Sequence, residues 1–184
     1  MIENKENHII ATAHPTFLRY GFKRTTMGDI AEAAGMSRPA LYLVFANKED
    51  VFKAVIRRMN TRHLAEIEQG LRSHSSLSAK LNFAFDVWTI QPFEMILRSA
   101  DAKELIYSAY ELASDVLDES GAAFEAILTK IIDSYRQKSS SNMTTKKLAH
   151  MLRGASRGFK ELAKDSNELR QLINDFIELV IPVI

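Results

Sequence analysis

Apolar side chains recur every three or four positions along almost the whole chain, and this spacing constrains the fold more than any other feature. A period of 3.6 residues puts such side chains on one face of an α-helix, where they can be buried together. Only 7 glycines and 4 prolines interrupt the 184 residues, so there are few points at which a helix has to end. The sequence therefore predicts an all-α protein, with a three-helix N-terminal domain and a C-terminal helical bundle.

The chain lacks the residues that several classes of protein need. It has no cysteine, which excludes disulfides, thiolate metal sites and cysteine nucleophiles and fits a reducing cytoplasm. No run reaches the roughly 18 apolar residues of a membrane-spanning helix, and the N-terminus lacks the pattern of a secretory signal. The histidines show no metal-like pairing, and there is no phosphate-binding glycine loop or nucleophile elbow. We therefore expect a cytoplasmic protein that is not an enzyme, does not bind a membrane, and uses neither a metal nor a cofactor.

Positive charge is concentrated near the N-terminus, although the chain as a whole is almost neutral. Residues 1–63 carry 10 lysines and arginines against 6 acidic residues, whereas residues 64–184 carry 14 against 17. This asymmetry suggests that the N-terminal end meets a polyanion. Four basic residues without an intervening acid form what we call the basic cluster, which is either a solvated helix face or a source of long-range attraction to DNA. They are Lys53, Arg57, Arg58 and Arg62.

Capping residues mark two short helices in the N-terminal segment. Thr26 and Asp29 have the spacing of a capping box, which predicts that a helix begins there. Gly35 can adopt the left-handed conformation that ends this helix. Ser37 is a good N-cap for a further helix, which we expect to run to Phe45.

The turn between these two helices has the length of a DNA-binding helix-turn-helix. Only Gly35-Met36-Ser37 separates the helices, and Ala31 and Ala34 supply the small side chains that are needed where they cross. An ordinary helical hairpin with solvated polar residues is the alternative interpretation.

The domain boundaries follow from these elements. A first helix over roughly residues 5–20, ended by Gly21, completes a DNA-binding domain over residues 1–47, with the helix-turn-helix at about 27–46. We expect residues 48–184 to form a helical domain for ligand binding and dimerisation.

Side chains around the third helix have the chemistry to bind duplex DNA. An arginine near the start of a helix in the major groove can bond guanine or a phosphate. Hydroxyl groups and lysine can bond phosphate oxygens. The residues that we predict to contact DNA are Thr25, Thr26, Ser37, Arg38, Pro39, Ala40, Tyr42, Leu43 and Lys48.

Residues 17–52 resemble the DNA-binding domain of the TetR family of regulators. The resemblance rests on Phe17, Gly21-Phe22, Thr25-Thr26, Ile30-Ala31, Ala34-Gly35-Met36-Ser37, Leu41-Tyr42, Phe45 and Lys48-Glu49. It implies a dimer that binds a palindromic DNA site, represses in most cases, and releases the DNA when a small ligand enters the C-terminal domain. Val44 departs from the family, which often has a phosphate-contacting His or Tyr there, and Pro39 replaces a commoner glycine.

The segment after residue 47 reads as a series of longer helices. We predict them at Lys48 to about Arg72, 77–90, 92–99, 102–137, 144–164 and 167–181. Pro92 is expected to mark the end of the second of these, and the helical segment 102–137 is expected to break near Ser120-Gly121. The polar run 138–142 is predicted to be a loop.

The last two helices carry apolar stripes that predict a dimer interface. The stripe of the last helix is wider than one neighbouring helix needs. Gly154 and Gly158 lie one turn apart, and the close approach of another helix would explain their cost in helicity. Two such helices from each of two subunits would form a four-helix bundle; the alternative is that both pack only within their own chain. The predicted interface residues are Met151, Leu152, Ala155, Phe159, Leu169, Leu172, Ile173 and Phe176.

Aromatic and sulfur-containing side chains in the middle helices suggest a ligand pocket. Such a lining suits an apolar or flat aromatic ligand, and the alternative is that these side chains are simply core. The predicted lining residues are Phe83, Trp88, Phe93, Met95, Tyr107, Tyr110 and Phe124. A dimeric repressor released by such a ligand is the function that these features favour. The alternative is a DNA-bound adaptor whose C-terminal domain binds a protein partner.

Overall fold

Every regular element in the described part of the protein is helical. The computed structural model describes residues 2–99, 101–136 and 143–183. The α-helices in these ranges are α1 (Ile2–Arg24), α2 (Met27–Ala33), α3 (Arg38–Tyr42), α4 (Lys48–Gly70), α5 (Leu77–Phe85), α6 (Gln91–Leu97), α7 (Ala102–Leu112), α8 (Ser114–Asp133), α9 (Thr145–Leu162) and α10 (Ser166–Val180). The prediction of an all-α fold is confirmed. None of the described helices is long and apolar enough to cross a membrane, and the predicted loop at 138–142 lies outside the described residues.

The chain is divided into two compact units, each with its own apolar core. Unit 1 consists of Met1–Thr61 and Met95–Asp118, and unit 2 consists of Arg62–Glu94 and Glu119–Ile184. Unit 1 therefore includes α7, which packs on α1 and contributes Leu105 to the N-terminal core. The boundary predicted after residue 47 does not coincide with this division, because the three N-terminal helices share their core with α7 and the start of α4.

Aromatic side chains occupy the centre of unit 1. The ring of Phe52 lies 5.1 Å from that of Phe17 and 4.8 Å from that of Phe22, measured between ring centroids. These three rings bring together the middle of α1, its last turn and the second turn of α4. The three buried rings thus form a packed core that supports the helix-turn-helix.

Gly21 interrupts α1, as the sequence predicts. Its backbone has φ 75° and ψ 166°, a left-handed conformation that costs glycine little because it has no Cβ. The helix resumes for one short turn that ends at Arg24. Pro15 is tolerated inside the longer part of the helix.

The prediction that Pro92 ends a helix is wrong. A π-helical turn at Asp86–Ile90 joins α5 to α6, and Pro92 lies in the first turn of α6. In this turn the Gln91 N–H donates to the carbonyl of Asp86, five residues earlier. The wider turn takes up the backbone disruption that a proline causes in a regular helix, so that the chain stays helical through it.

The predicted break at Ser120-Gly121 is also wrong. Helix α7 ends at Leu112, with Ala113 as its C-cap, and α8 then runs through Gly121 without interruption. Gly121 is buried, and the guanidinium group of Arg153 lies in the space that a side chain there would fill. This glycine therefore permits close packing and does not end a helix.

Candidate functional site

Two local hydrogen-bond motifs build the helix-turn-helix. The Thr26 hydroxyl accepts a hydrogen bond from the Asp29 N–H (3.2 Å), and the Asp29 carboxylate accepts one from the Thr26 N–H (2.8 Å). Gly35 takes a left-handed conformation with φ 60°. The Ser37 hydroxyl then accepts a long hydrogen bond of 3.4 Å from the Ala40 N–H at the start of α3. The predicted capping box, glycine turn and N-cap are all present.

A histidine that the sequence analysis did not single out also supports this turn. The side chain of His8 in α1 is hydrogen-bonded through Nε2 to the carbonyl of Ala34 at 3.0 Å. Because a carbonyl only accepts, Nε2 carries the proton in this contact. His8 and Ala34 are 26 residues apart, so no local pattern could have indicated the pair.

Helix α3 has one buried and one exposed face. Leu41 is fully buried in the core of unit 1, whereas Tyr42 is 48% exposed and Leu43 is 88% exposed. Arg38 and Pro39 are exposed as well. The outer surface of α3 thus offers a guanidinium, a phenol and an apolar side chain to a partner.

The end of α3 differs from the prediction. The α-helix stops at Tyr42 rather than at Phe45. The Val44 N–H donates to the carbonyl of Leu41, three residues earlier, at 2.9 Å, and this bond closes the helix in a tighter turn. This tighter closing turn leaves Leu43 at its exposed corner.

Thr25, which was predicted to contact DNA, is not part of the exposed surface of the helix-turn-helix. Its side chain is 1% exposed, and its hydroxyl donates a hydrogen bond of 2.6 Å to the carbonyl of Gly21. The prediction of a phosphate contact through this hydroxyl is wrong. Thr26 is exposed, but its hydroxyl is engaged with Asp29 at 2.8 Å.

The side chain of Lys48 also serves the interior of the domain. Its ammonium group donates to the carbonyls of Phe22 (2.8 Å) and Lys23 (3.3 Å) and lies 4.3 Å from the centre of the Phe22 ring. These contacts satisfy the C-terminal end of α1, where a cation is favoured. They do not favour the predicted use of Lys48 as a phosphate ligand.

The basic cluster is tied into unit 1 at two of its members. Lys53 forms an ion pair of 2.9 Å with Asp115. Arg58 donates to the backbone carbonyl of Asn7 at 2.8 Å. The contacts of these two side chains within unit 1 explain why they are basic, and no contact with DNA is needed to explain it.

The predicted dimer interface divides into buried and accessible residues. Leu152, Leu169 and Ile173 are buried in the core of unit 2, so the prediction that they form a subunit interface is wrong. Leu169 and Ile173 lie on α10, which packs on α5 and α9 of the same unit, and Leu152 lies on α9. The predicted residues that keep accessible surface are Met151, Ala155, Phe159, Leu172 and Phe176.

The accessible stripe continues at residues that the prediction did not include. Leu162 is exposed, and Leu179 is 75% exposed. A Cβ atom added to Gly154 or Gly158 would meet nothing within 4 Å. We call the accessible apolar residues and glycines of α9 and α10 the α9–α10 face: Met151, Gly154, Ala155, Gly158, Phe159, Leu162, Leu172, Phe176 and Leu179.

The residues of the predicted ligand pocket are distributed over both units. Phe83, Trp88, Phe93 and Phe124 are part of the unit 2 core, whereas Met95, Tyr107 and Tyr110 belong to unit 1. Tyr107 is 61% exposed, so its prediction as a pocket residue is wrong. The rings of Trp88 and Phe124 stack on one another at 4.8 Å.

An open cavity of about 720 Å³ on unit 2 includes one of the predicted pocket residues, Phe83. Polar side chains are mixed with apolar ones around it. Arg170 and Asp86 in its wall form an ion pair of 2.8 Å, and Asn82 donates to Asn174 across it at 3.2 Å. These polar groups bond one another, and the cavity is more polar than the predicted pocket.

Comparison with known proteins agrees with the geometry of the helix-turn-helix. The family described as bacterial regulatory proteins, tetR family, matches residues 9–55. The transcriptional regulator YfiR of Bacillus subtilis is 30% identical over 87 residues, which cover 47% of this chain and 42% of YfiR. The transcriptional activator FasR of Mycolicibacterium smegmatis is 24% identical over 132 residues, 71% of this chain and 58% of FasR. The aligned regions thus span less than two thirds of either relative.

The whole fold also has counterparts among solved structures. The structure of a TetR-family transcriptional regulator from Rhodococcus sp. matches with a TM-score of 0.75 and 20% identity, and the match covers 97% of this chain and 99% of that one. The sequence match, the helix-turn-helix geometry and this fold agree with one another. Residues 9–55 thus match the TetR family of bacterial regulatory proteins, and the chain as a whole has the fold of TetR-family structures.

Proposed function

We propose that the protein is a dimeric, sequence-specific transcriptional regulator that binds a palindromic duplex through α3, and that it acts as a repressor. The exposed face of α3 is the observation that carries the proposal. Leu43 is largely exposed and Tyr42 is about half exposed, whereas Leu41, beside them in sequence, is fully buried. A helix held firmly by its inner face and uncovered on its outer face suits docking into a major groove.

The chemistry of the exposed residues supports direct contact with DNA. The Arg38 guanidinium can bond guanine O6 and N7 or a phosphate, and the Leu43 side chain can contact a thymine methyl group. The Tyr42 hydroxyl can reach a phosphate oxygen. Pro39 and Ala40 add small apolar surface at the same end of the helix.

The α9–α10 face supports the dimeric part of the proposal. It combines large exposed apolar side chains such as Leu179 with two glycines, Gly154 and Gly158, whose surroundings are open. Contiguous exposed apolar surface of this kind marks interaction sites on soluble proteins. A second copy of the chain is the expected occupant, because one helix pair from each subunit completes a bundle and because a two-fold axis matches a palindromic site.

Binding to DNA fragments over a range of salt concentrations tests the proposal. A protein that neutralises six to ten phosphates loses roughly 10³- to 10⁵-fold in affinity between about 50 and 200 mM salt. We expect a steep negative slope together with one preferred palindromic sequence. Equal affinity for all fragments, or an affinity that does not change with salt, would contradict the proposal.

The effector is proposed to be a small apolar or aromatic molecule that binds near the aromatic side chains of unit 2. Trp88 is the sole tryptophan of the chain, so its fluorescence reports on this region. Anilinonaphthalene sulfonate, an aromatic dye, is a suitable first probe. We expect energy transfer from Trp88 to the bound dye and, in the same titration, release of a labelled duplex.

An adaptor whose C-terminal part binds a protein partner is the second candidate. The stacked rings of Trp88 and Phe124 and the buried side chain of Phe93 favour it, because they fill space that a ligand would need. Binding of the dye without any effect on the duplex would support the adaptor.

The direction of regulation needs its own measurement. FasR, one of the relatives, is an activator by name, so the fold is compatible with either sign. A reporter gene placed behind the preferred DNA site should be expressed less when the protein is present. Increased expression would make the protein an activator.

A further inference from the structure

The backbone between Phe22 and Lys23 is held from two sides by side chains of opposite charge. On one side, Glu104 of α7 accepts hydrogen bonds from the N–H groups of Phe22 (2.9 Å) and Lys23 (3.0 Å). On the other side, Lys48 donates to the carbonyl of Phe22 at 2.8 Å. The peptide group that joins Phe22 to Lys23 therefore has a carboxylate at its N–H and an ammonium at its carbonyl oxygen.

The break at Gly21 explains why a carboxylate is needed there. Because Gly21 leaves the helical conformation, the N–H groups that follow start a new turn without partners four residues earlier. A Cβ atom on residue 21 would lie 2.8 Å from Glu104 Oε2, which is too close for either group to stay in place. Glycine thus permits both the left-handed backbone and the approach of the carboxylate.

Glu104 is itself held in position. The hydroxyl of Ser108, one turn further along α7, donates to Glu104 Oε1 at 3.1 Å, and Ser108 is buried. The carboxylate therefore accepts three hydrogen bonds, and such charge-assisted bonds are roughly twice as strong as neutral ones. A carboxylate, a peptide dipole and an ammonium in sequence also polarise one another favourably.

Lys48 connects the Phe22–Lys23 turn to α3, the helix proposed to dock on DNA. It is the first residue of α4, and only residues 43–47 separate it from α3. This short segment is anchored by the buried ring of Phe45 and by Asn47, whose side chain accepts a hydrogen bond of 2.8 Å from the Asp50 N–H. A shift of the start of α4 would therefore be passed on to α3.

We propose that Glu104 is a positioning residue for DNA binding, which acts through the Phe22–Lys23 turn and Lys48. This inference rests on the proposed function, because it assigns to α7 a part in orienting the helix that docks on DNA. Glu104 holds the turn, the turn holds Lys48, and Lys48 fixes the start of α4 next to the helix-turn-helix.

Hydrogen exchange and DNA affinity, measured on the same set of variants, test the inference. The variants are Glu104→Gln and Glu104→Ala; Glu111→Ala, which removes an exposed acid from the same helix, is the matched control. The duplex is one that the wild-type protein selects from a random-sequence library. In the Glu104→Ala protein we expect the Phe22 and Lys23 amides to exchange roughly tenfold faster and the duplex to bind about tenfold more weakly. The Glu104→Gln protein keeps an amide oxygen as acceptor, so we expect its amide exchange and its DNA affinity to change less than those of the Glu104→Ala protein. The Glu111→Ala control should match the wild-type protein.

A double-mutant cycle with Lys48→Met separates positioning from a general loss of stability. Glu104 and Lys48 act on the same peptide group, so their effects on DNA affinity should not add. We expect the Glu104→Gln/Lys48→Met protein to bind within about twofold of the weaker single variant. Losses that multiply would overturn the inference.

The remaining outcomes are also decisive. A wild-type protein that selects no duplex overturns the proposed function, and this inference with it. A selected duplex that binds both Glu104 variants as tightly as the Glu111→Ala protein overturns the positioning role alone. If the Glu104→Ala protein does not fold, the Glu104→Gln protein decides, provided that circular dichroism shows it to be fully helical.

Discussion

The guanidinium group of Arg153 lies over the backbone of Gly121, so that a Cβ atom on residue 121 would be 3.1 Å from Arg153 Cζ. From this position Arg153 Nε donates a hydrogen bond of 2.5 Å to Glu125. Both side chains of this ion pair are more than four-fifths buried. The absence of a side chain at residue 121 is therefore a condition for a charged contact between α8 and α9.

Substitution of this glycine should destabilise the protein even though it favours helix formation. Alanine gains about 1 kcal/mol in helix propensity over glycine, but displacement of Arg153 costs about 1.5–3 kcal/mol in its bond to the carboxylate. We expect Gly121→Ala to lower the free energy of unfolding by about 1 kcal/mol in urea denaturation. In an Arg153→Ala background, Gly121→Ala should instead stabilise the protein. Destabilisation in both backgrounds would show that the side chain added at residue 121 clashes with a group other than Arg153.

The α9–α10 face can be tested with one charge. Leu179→Glu places a carboxylate on the proposed interface, where burial of an unpaired charge is costly. We expect the variant to sediment as a monomer at micromolar concentrations at which the wild-type protein is a dimer. Leu97→Glu, which puts the same charge at another exposed leucine, is the control and should leave the dimer intact. Unchanged sedimentation of the Leu179→Glu protein would place the interface on another surface.

Two residues of α3 should have different effects on DNA binding. Arg38→Ala is expected to cost about 1–3 kcal/mol at one base position if the guanidinium reads a base. Tyr42→Ala should weaken binding to all sequences about equally, since a phosphate contact carries no sequence information. Affinities of both variants for a set of duplexes with single base changes distinguish the two roles. A uniform loss for the Arg38→Ala protein would assign that side chain to the phosphate backbone.

The capping box makes part of the stability dependent on pH. Hydrogen bonds from the backbone and then the side chain of Thr26 lower the pKa of Asp29 from its ordinary value of 3.8. The ionised carboxylate thus stabilises the folded state fully above that value, and the contribution disappears as the pH falls through the lowered pKa. We expect the wild-type urea midpoint to fall more steeply below about pH 4 than that of Asp29→Asn. The Asp118→Asn protein, which loses a different exposed carboxylate, should retain the steep wild-type profile.

Local signals in the sequence were sufficient to locate the helix-turn-helix. A cap such as Thr26 or Ser37 bonds to a backbone group only three residues away, so both partners fall within one short window of sequence. The contact between Phe22 and Glu104 spans 82 residues, and a lone glutamate on an amphipathic helix carries no mark of its partner. Such contacts can be read only from coordinates.

Apolar periodicity could identify a buried face but not the molecule that covers it. Leu152 and Met151 both belong to the stripe predicted for α9, yet Leu152 is buried within its own unit whereas Met151 is exposed. A glycine in the sequence was equally ambiguous, because it can either break a helix or make room for a neighbouring side chain. Gly21 breaks a helix because its backbone is left-handed, whereas Gly121 stays helical and makes room for Arg153.

The π-helical turn at Asp86–Ile90 determines which side chains after it face inward. Successive residues of a helix are rotated by about 100°, so one residue more or fewer in this turn would swing everything beyond it through that angle. Phe93, which is now buried, would then point in another direction. In a homologue that lacks one residue here, different positions of α6 would have to be apolar. An insertion or deletion at this point should therefore be harder to tolerate than one in a surface loop.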